Sequence, residues 1–209
     1  MSNATVKRGV LIVLDGIDGT GKTTQAKRLL GTLKKKGFDA VYFREPSDSP
    51  WGREIKRKAA LADSLSAEEE LDLFQKDRKE NIAKNLKPAL AQNKIVVLDR
   101  YYYSTIAYQG ARGISPLMIQ KMNEEFAVKP DLVFILDMPP REGLERIEKN
   151  RKEKDLLFEQ EDYLGRVREI FRSFEDKNIF HIDAFRSEEN IYMEIENIVC
   201  DFLNELMKL

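Results

Sequence analysis

The sequence predicts an α/β protein built on a five-stranded parallel sheet, and three observations carry that prediction. Short apolar runs recur along the chain, each separated from the next by a segment with helical patterning. The runs are continuous rather than alternating, as in strands buried on both faces of a parallel sheet. Helix start and stop signals fall between them, so strand–helix–strand units repeat.

Val10-Leu11-Ile12-Val13-Leu14, closed by Asp15-Gly16, is the first strand. A helix follows from Lys22 and ends at Lys34-Lys35-Lys36-Gly37, basic residues in the last turn and glycine just past it. The three lysines read as a solvated helix end rather than a binding patch. Ala40-Val41-Tyr42-Phe43 is the second strand, and Ser49-Pro50 can cap and start a helix. Ser66 and Glu69 form a capping box that opens a long helical region through Ala91, with Pro88 near its end. Glu68-Glu69-Glu70 then sits in the first turn, where negative charge suits the helix dipole. Ile95 to Asp99 is the third strand and Leu132 to Asp137 the fourth, with Ser115-Pro116 opening a helix between them. Ile179 to Ile182 is the fifth, carrying the only histidine, His181, at a position expected in the core. From Glu188 a helix places Ile191, Ile195, Ile198, Val199, Phe202 and Leu206 at helical spacing, with Cys200 as a small packing residue. Residues 150–161 are charged, lack a clear stop signal and read as a mobile surface segment or lid.

The 209 residues fit a single domain, 1–209, and at 42% hydrophobic and 34% charged they can bury a core. Lys and Arg number 35 against 36 Asp and Glu, a net charge of −1 that gives no support to a nucleic-acid polymer as partner. One cysteine rules out an intramolecular disulfide framework and fits a reducing compartment. No apolar run approaches a membrane span and Met1 to Gly9 lacks a signal-peptide stretch, so a cytoplasmic protein that does not engage membranes is expected.

Gly16-Ile17-Asp18-Gly19-Thr20-Gly21-Lys22-Thr23 matches G-x-x-x-x-G-K-[ST] at every fixed position, between a buried strand and a helix. Glycines let backbone N–H groups turn inward around phosphate oxygens, and the helix N-terminus adds partial positive charge. Lys22 can reach the β- and γ-phosphates, and the Thr23 hydroxyl can ligate Mg²⁺. The loop, Gly16 to Thr24, therefore binds a nucleoside triphosphate. Asp18 within it has two readings: an outward, solvated carboxylate, or one facing a second, hydroxyl-bearing substrate.

Asp99-Arg100-Tyr101 ends the third strand, at the sheet edge where open α/β proteins bind ligands. An Asp there can hold Mg²⁺ water and an Arg can clamp a phosphate with two prongs. Arg44-Glu45-Pro46 follows the second strand at the same edge. Phe74 and Arg78, four apart, share a helix face. They suit a flat, carbonyl-bearing base, and a core Phe fits the same spacing.

Together the acidic phosphate loop, Arg44-Glu45-Pro46, Phe74-x-x-x-Arg78, Asp99-Arg100-Tyr101-x-x-Ser104-x-x-Ala107-Tyr108-Gln109 and Pro130-Asp131-Leu132 resemble the thymidylate kinase family of nucleoside monophosphate kinases, over roughly residues 10 to 200. The resemblance implies the three-layer P-loop kinase fold with a lid, transfer of the ATP γ-phosphoryl to dTMP, Mg²⁺ as cofactor and a homodimer. It also implies roles by position. Phe74 stacks on thymine and Arg78 bonds its carbonyl; Thr105 and Gln109 approach the base, and Ser104 lies on the substrate side. Arg44 and Arg100 hold the acceptor phosphate, and Asp99 acts through Mg²⁺ with Thr23. Asp18 meets the sugar 3′-hydroxyl, Tyr108 lies under the sugar, and Arg146 leans on the donor adenine. Three departures stand out, one being that Asp155-Leu156-Leu157-Phe158-Glu159 lacks the arginine often found in the lid. Ser47-Asp48-Ser49 replaces the glycine-rich turn of many bacterial members. Gly19 stands where some members carry an arginine, which makes Arg151, backed by Lys152 or Lys154, the candidate transition-state cation. Two other readings are a P-loop kinase acting on another nucleotide or a deoxynucleoside, and a GTPase-type switch. The switch would usually carry Asn-Lys-x-Asp, whose Asp is missing from Asn93-Lys94-Ile95-Val96.

Overall fold

The computed structural model describes residues 6–61, 65–147 and 155–208. Five parallel strands, β1 (Val10–Gly16), β2 (Ala40–Arg44), β3 (Ile95–Asp99), β4 (Leu132–Asp137) and β5 (Ile179–Asp183), lie in the order β2-β3-β1-β4-β5. Each predicted strand is present, with ends a residue or two longer in β1, β2 and β5. The register aligns Leu14 and Arg44 with Asp99, so the carboxyl ends of β1, β2 and β3 finish side by side.

Strand alternation sorts the core into two layers. Val10, Ile12 and Leu14 pack with Leu29 and Leu33 of α1 (Lys22–Lys35) and with Ile191, Ile195 and Val199 of α9 (Glu188–Lys208). Leu11 and Val13 face the other layer, built from α3 (Ala67–Asn81), α5 (Tyr102–Ala111), α6 (Pro116–Glu124) and α8 (Asp155–Arg172), with Leu71, Ile106, Ile119, Val167 and Phe171 in the cluster. Helices α2 (Pro50–Ala60) and α7 (Pro140–Ile147) flank the carboxyl edge. No helix among the described residues is long and apolar enough to cross a membrane.

The helical region expected from Ser66 to Ala91 is one run with a change of pitch. After α3 comes a π turn, Ile82–Leu86, and then α4 (Lys87–Ala91). Pro88 has no N–H to give to a carbonyl four residues back, and the chain widens just before it, with Lys87 N–H bonded to the Ile82 carbonyl. Ser49 and Ser115 cap α2 and α6 through Gly52 N–H and Met118 N–H. His181 departs from expectation: it is exposed, because β5 is the sheet's edge strand, and its Nε2 lies 2.8 Å from the Phe174 carbonyl. The basic end of α1 is not wholly solvated either. Lys36, its C-cap, reaches Glu196 at 3.0 Å and Cys200 Sγ at 3.1 Å and ties α1 to α9.

The Ser66 hydroxyl accepts from Glu69 N–H at 3.1 Å, and the Glu69 carboxylate accepts from Ser66 N–H at 2.9 Å. Ser66→Ala is expected to destabilise the protein by about 1 kcal/mol, read from the urea midpoint at unchanged m value, while Ser66→Thr stays close to wild type.

Candidate active site

The phosphate loop leaves β1 at Gly16 and wraps into α1. Gly19 (φ +81°) and Gly21 (φ +90°) both take the left-handed conformation. A Cβ on Gly19 would stand 2.2 Å from the Gly143 carbonyl oxygen, so α7 packs on bare backbone there, whereas one on Gly21 would meet nothing within 4 Å. Ile17 is a core side chain that offers the loop only its carbonyl, which accepts from Lys22 Nζ at 2.6 Å and from Thr20 Oγ1 at 2.9 Å. Burial and the nearby Arg100 charge push the Lys22 ammonium down to about 7, against the pull of Asp18, Asp15 and Asp99. Thr24 is exposed at the start of α1.

Beside the loop, Asp99 is buried at the end of β3. Its Oδ2 accepts from the Thr23 hydroxyl and, at 3.1 Å, from the Tyr42 hydroxyl. Thr23 and Asp99, with Arg44, half-exposed at the end of β2, and Lys56 of α2, line a cavity of about 260 Å³ over the loop. Arg100 closes it on one side. Its guanidinium donates to Ser104 Oγ at 2.7 Å and to Asp18 Oδ1, and lies 5.5 Å from the centre of the Tyr108 ring. The Tyr108 hydroxyl donates to Asp18 Oδ2 at 3.1 Å. Burial pushes the Asp18 carboxyl up, but Arg100 and Lys22 outweigh it and hold the group below its usual range. Asp18 is more than half exposed to solvent and stands where two cavities meet, lining both.

The second pocket, about 270 Å³, shares Asp18, Glu45, Pro46 and Arg100 with the first and is lined further by Phe74, Arg78, Thr105, Tyr108, Gln109 and Tyr163. Arg78 is 1% exposed and fixed on three sides: Nε to Glu45 at 2.8 Å, Nη1 to Asn123 at 2.7 Å and Nη2 to the Thr105 hydroxyl at 2.9 Å. Burial pushes the Glu45 carboxyl above its usual range despite that pairing. Gln109 Nε2 donates to Glu70 at 2.8 Å, while its Oε1 is buried without a hydrogen-bond partner. The Ser47-Asp48-Ser49 departure is explained by Asp77, a buried carboxylate on α3 that accepts from Ser47 N–H at 2.8 Å, Ser47 Oγ at 2.5 Å and Ser49 Oγ at 2.6 Å. Those bonds shape the turn without glycines.

Two side chains depart from their simplest reading. The Ser104 hydroxyl is engaged within the protein, between Arg100 and Asp15. Thr105 meets the pocket with its hydroxyl already bonded to Arg78. Arg146 is exposed in the last turn of α7, and Arg151, Lys152 and Lys154 lie outside the described residues. Sequence reasoning missed Asp15, Tyr42, Lys56 and Tyr163. Only Asp15 carried a local signal, a carboxylate on a buried strand next to the first loop glycine.

A phosphate loop opening through a shared carboxylate and arginine onto a second, partly apolar pocket defines a P-loop phosphotransferase with separate donor and acceptor sites. The family model for thymidylate kinase matches residues 14–195. The chain is similar to the "Probable thymidylate kinase" of Archaeoglobus fulgidus, 44% identical over 93% of this chain and 97% of that protein. It is 46% identical to the "Thymidylate kinase" of Akkermansia muciniphila over 91% of each chain, and 41% identical to that of Brachyspira hyodysenteriae over 92% of this chain and 94% of the relative. The chain belongs to the thymidylate kinase family.

Two predictions follow from the geometry. Arg78→Ala leaves Glu45 buried beside an empty site and is expected to cost about 3–5 kcal/mol of stability, with Arg78→Met/Glu45→Gln recovering part of it in urea unfolding. Lys22 has a depressed pKa in the free protein, so phosphate arriving there draws a proton onto it. At pH 8, titration calorimetry in buffers of different ionisation enthalpy should show uptake approaching about one proton per ATP. Lys22→Met should abolish it, and the difference between the two proteins should shrink toward pH 6, where Lys22 is already charged.

Proposed function

We propose that the protein transfers the γ-phosphoryl group of ATP to dTMP, giving dTDP. The observation that carries the reading is the shared wall of Asp18 and Arg100 between the phosphate loop and the pocket of Phe74 and Arg78. It sets an acceptor's phosphate against the donor's.

A phosphate monoester is largely doubly ionised at pH 7, so the attacking oxygen needs no strong general base. The protein's work is positioning and charge. The loop amides from Gly16 to Thr24 and Lys22 hold the donor phosphates, and Arg146 leans on the adenine. Arg44 and Arg100 hold the acceptor phosphate, and Asp18, fixed by Arg100 and Tyr108, receives the sugar 3′-hydroxyl. Phe74 stacks on the base. The unpartnered Gln109 Oε1 suits the imide N–H of thymine, and Arg78 suits a base carbonyl. Arg151 supplies the cation that meets charge developing in transfer. The Thr23 hydroxyl and the Asp99 carboxylate are adjacent hard oxygen donors at the loop's mouth, the set that suits Mg²⁺ shared with phosphates and water. When bound, Mg²⁺ neutralises phosphate charge. The reading includes one catalytic domain over 1–209 and a cytoplasmic homodimer, supported by the family likeness; light scattering measures the oligomer.

An acceptor screen with ATP tests the proposal. Transfer to dTMP should exceed transfer to dCMP, dAMP, dGMP and thymidine by at least about a hundredfold in kcat/KM, the scale of a pocket that leaves buried polar groups unpaired with a wrong base. Equal use of another acceptor, or GTP hydrolysis without any acceptor, would replace it with one of the other P-loop readings.

A further inference from the structure

We infer that Asp15, acting through the Ser104 hydroxyl, is the positioning residue that aims the Arg100 guanidinium at the acceptor phosphate. Asp15 is fully buried at the end of β1. Its Oδ2 accepts from Tyr101 N–H and Ser104 N–H, both at 3.0 Å, and its Oδ1 accepts from Gly16 N–H at 2.9 Å and Ser104 Oγ at 2.5 Å. The two backbone bonds from Tyr101 and Ser104 serve as a cap for α5. The fourth bond does something a cap does not need.

Hydrogen-bond polarity shows what. An ionised carboxylate only accepts and a guanidinium only donates. Ser104 stands between them, so its one proton must go to Asp15 and its lone pairs turn to Arg100, which donates to it at 2.7 Å. The same guanidinium nitrogen lies 3.3 Å from the Gly16 carbonyl. The backbone of Arg100 is held with equal care. At φ +68° it occupies the left-handed region, which a non-glycine residue adopts only when its surroundings hold it there, and its N–H donates to the Leu14 carbonyl at 2.9 Å. Every one of these anchors, Leu14, Asp15 and Gly16, belongs to β1, the strand that carries the phosphate loop. The acceptor-side arginine is thereby registered to the donor-side loop.

The inference rests on the role proposed for Arg100, and a double-mutant cycle separates the two. Ser104→Ala keeps the backbone cap and deletes only the hydroxyl. It should lower kcat/KM for dTMP about 10- to 100-fold, the loss of one hydrogen bond to a charged group, with ATP-analogue binding and thermal midpoint nearly unchanged. In an Arg100→Ala background, Ser104→Ala should cost nothing further. Ser104→Thr, which keeps the hydroxyl, should restore most of the rate. Asp15→Asn places an amide NH₂ against donors and, if it folds, should match Ser104→Ala; if it does not fold, the serine cycle decides alone. Additive losses in the two backgrounds, or no loss from Ser104→Ala beside intact Arg100, overturn the inference and leave the function standing. Wild-type transfer by Arg100→Ala overturns the role of Arg100 and this inference together.

Discussion

A single carboxylate, Asp15, meets the phosphate loop, the turn after β3 and the first turn of α5, and the geometry of the site descends from that meeting. Its two oxygens accept hydrogen bonds from Gly16, Tyr101 and Ser104, residues up to 89 positions away along the chain. Burial raises its pKa, so the site holds this charge against its solvation cost through those donors and the nearby Arg100. The rest of the edge alternates in sign. Lys22, Arg100 and Arg44 stand among Asp15, Asp18 and Asp99, each carboxylate tied to a particular donor. Even so burial, with the nearby Arg100 charge, outweighs the three carboxylates and pushes Lys22 down to about 7. On the proposed reading, donor phosphates beside Lys22 favour its charged form, which couples binding to protonation of the loop.

The acceptor pocket is organised on a different principle. Its wall is a buried ion pair, Arg78 with Glu45, extended by Asn81, Asn123 and Thr105. Such a pair contributes little net stability once desolvation is counted, and the raised Glu45 carboxyl shows the cost directly. What it gives is a guanidinium that cannot swing, set one helical turn from Phe74. On the proposed reading, a base that fails to meet it leaves polar atoms unpaired, and discrimination comes from that penalty more than from attraction.

Local physics was legible in the sequence. The five strands, the serine caps at Ser49, Ser66 and Ser115 and the phosphate loop depend on interactions within a few residues, and all are where the pattern places them. What the sequence concealed is long-range. Nothing near Ser47 announces that Asp77, thirty residues on, shapes its turn. Nothing near α5 announces a cap from β1, nor that the hydroxyl of Ser104, which lines the second pocket, is shared between Asp15 and Arg100. His181 looked internal because strand pattern does not reveal which strand ends the sheet. The resemblance to a family brought Phe74, Arg78 and Tyr108 into one pocket before geometry did; periodicity alone left Phe74 divided between core and base.

The bare loop position at Gly19 sets a final constraint. With φ +81° and the Gly143 oxygen 2.2 Å from where a Cβ would stand, no side chain enters there unless α7 withdraws. The contact is reciprocal, since a Cβ on Gly143 would lie 2.7 Å from the Asp18 carbonyl. An arginine at position 19, which some members of the family carry, is thus incompatible with this packing of α7 on the loop. On the proposed reading, the positive charge for the transferred phosphoryl comes from elsewhere, with Lys22, Arg44 and Arg100 lining the cavity over the loop. Close backbone packing and the placing of catalytic charge are alternatives at this position, and this protein has taken the first.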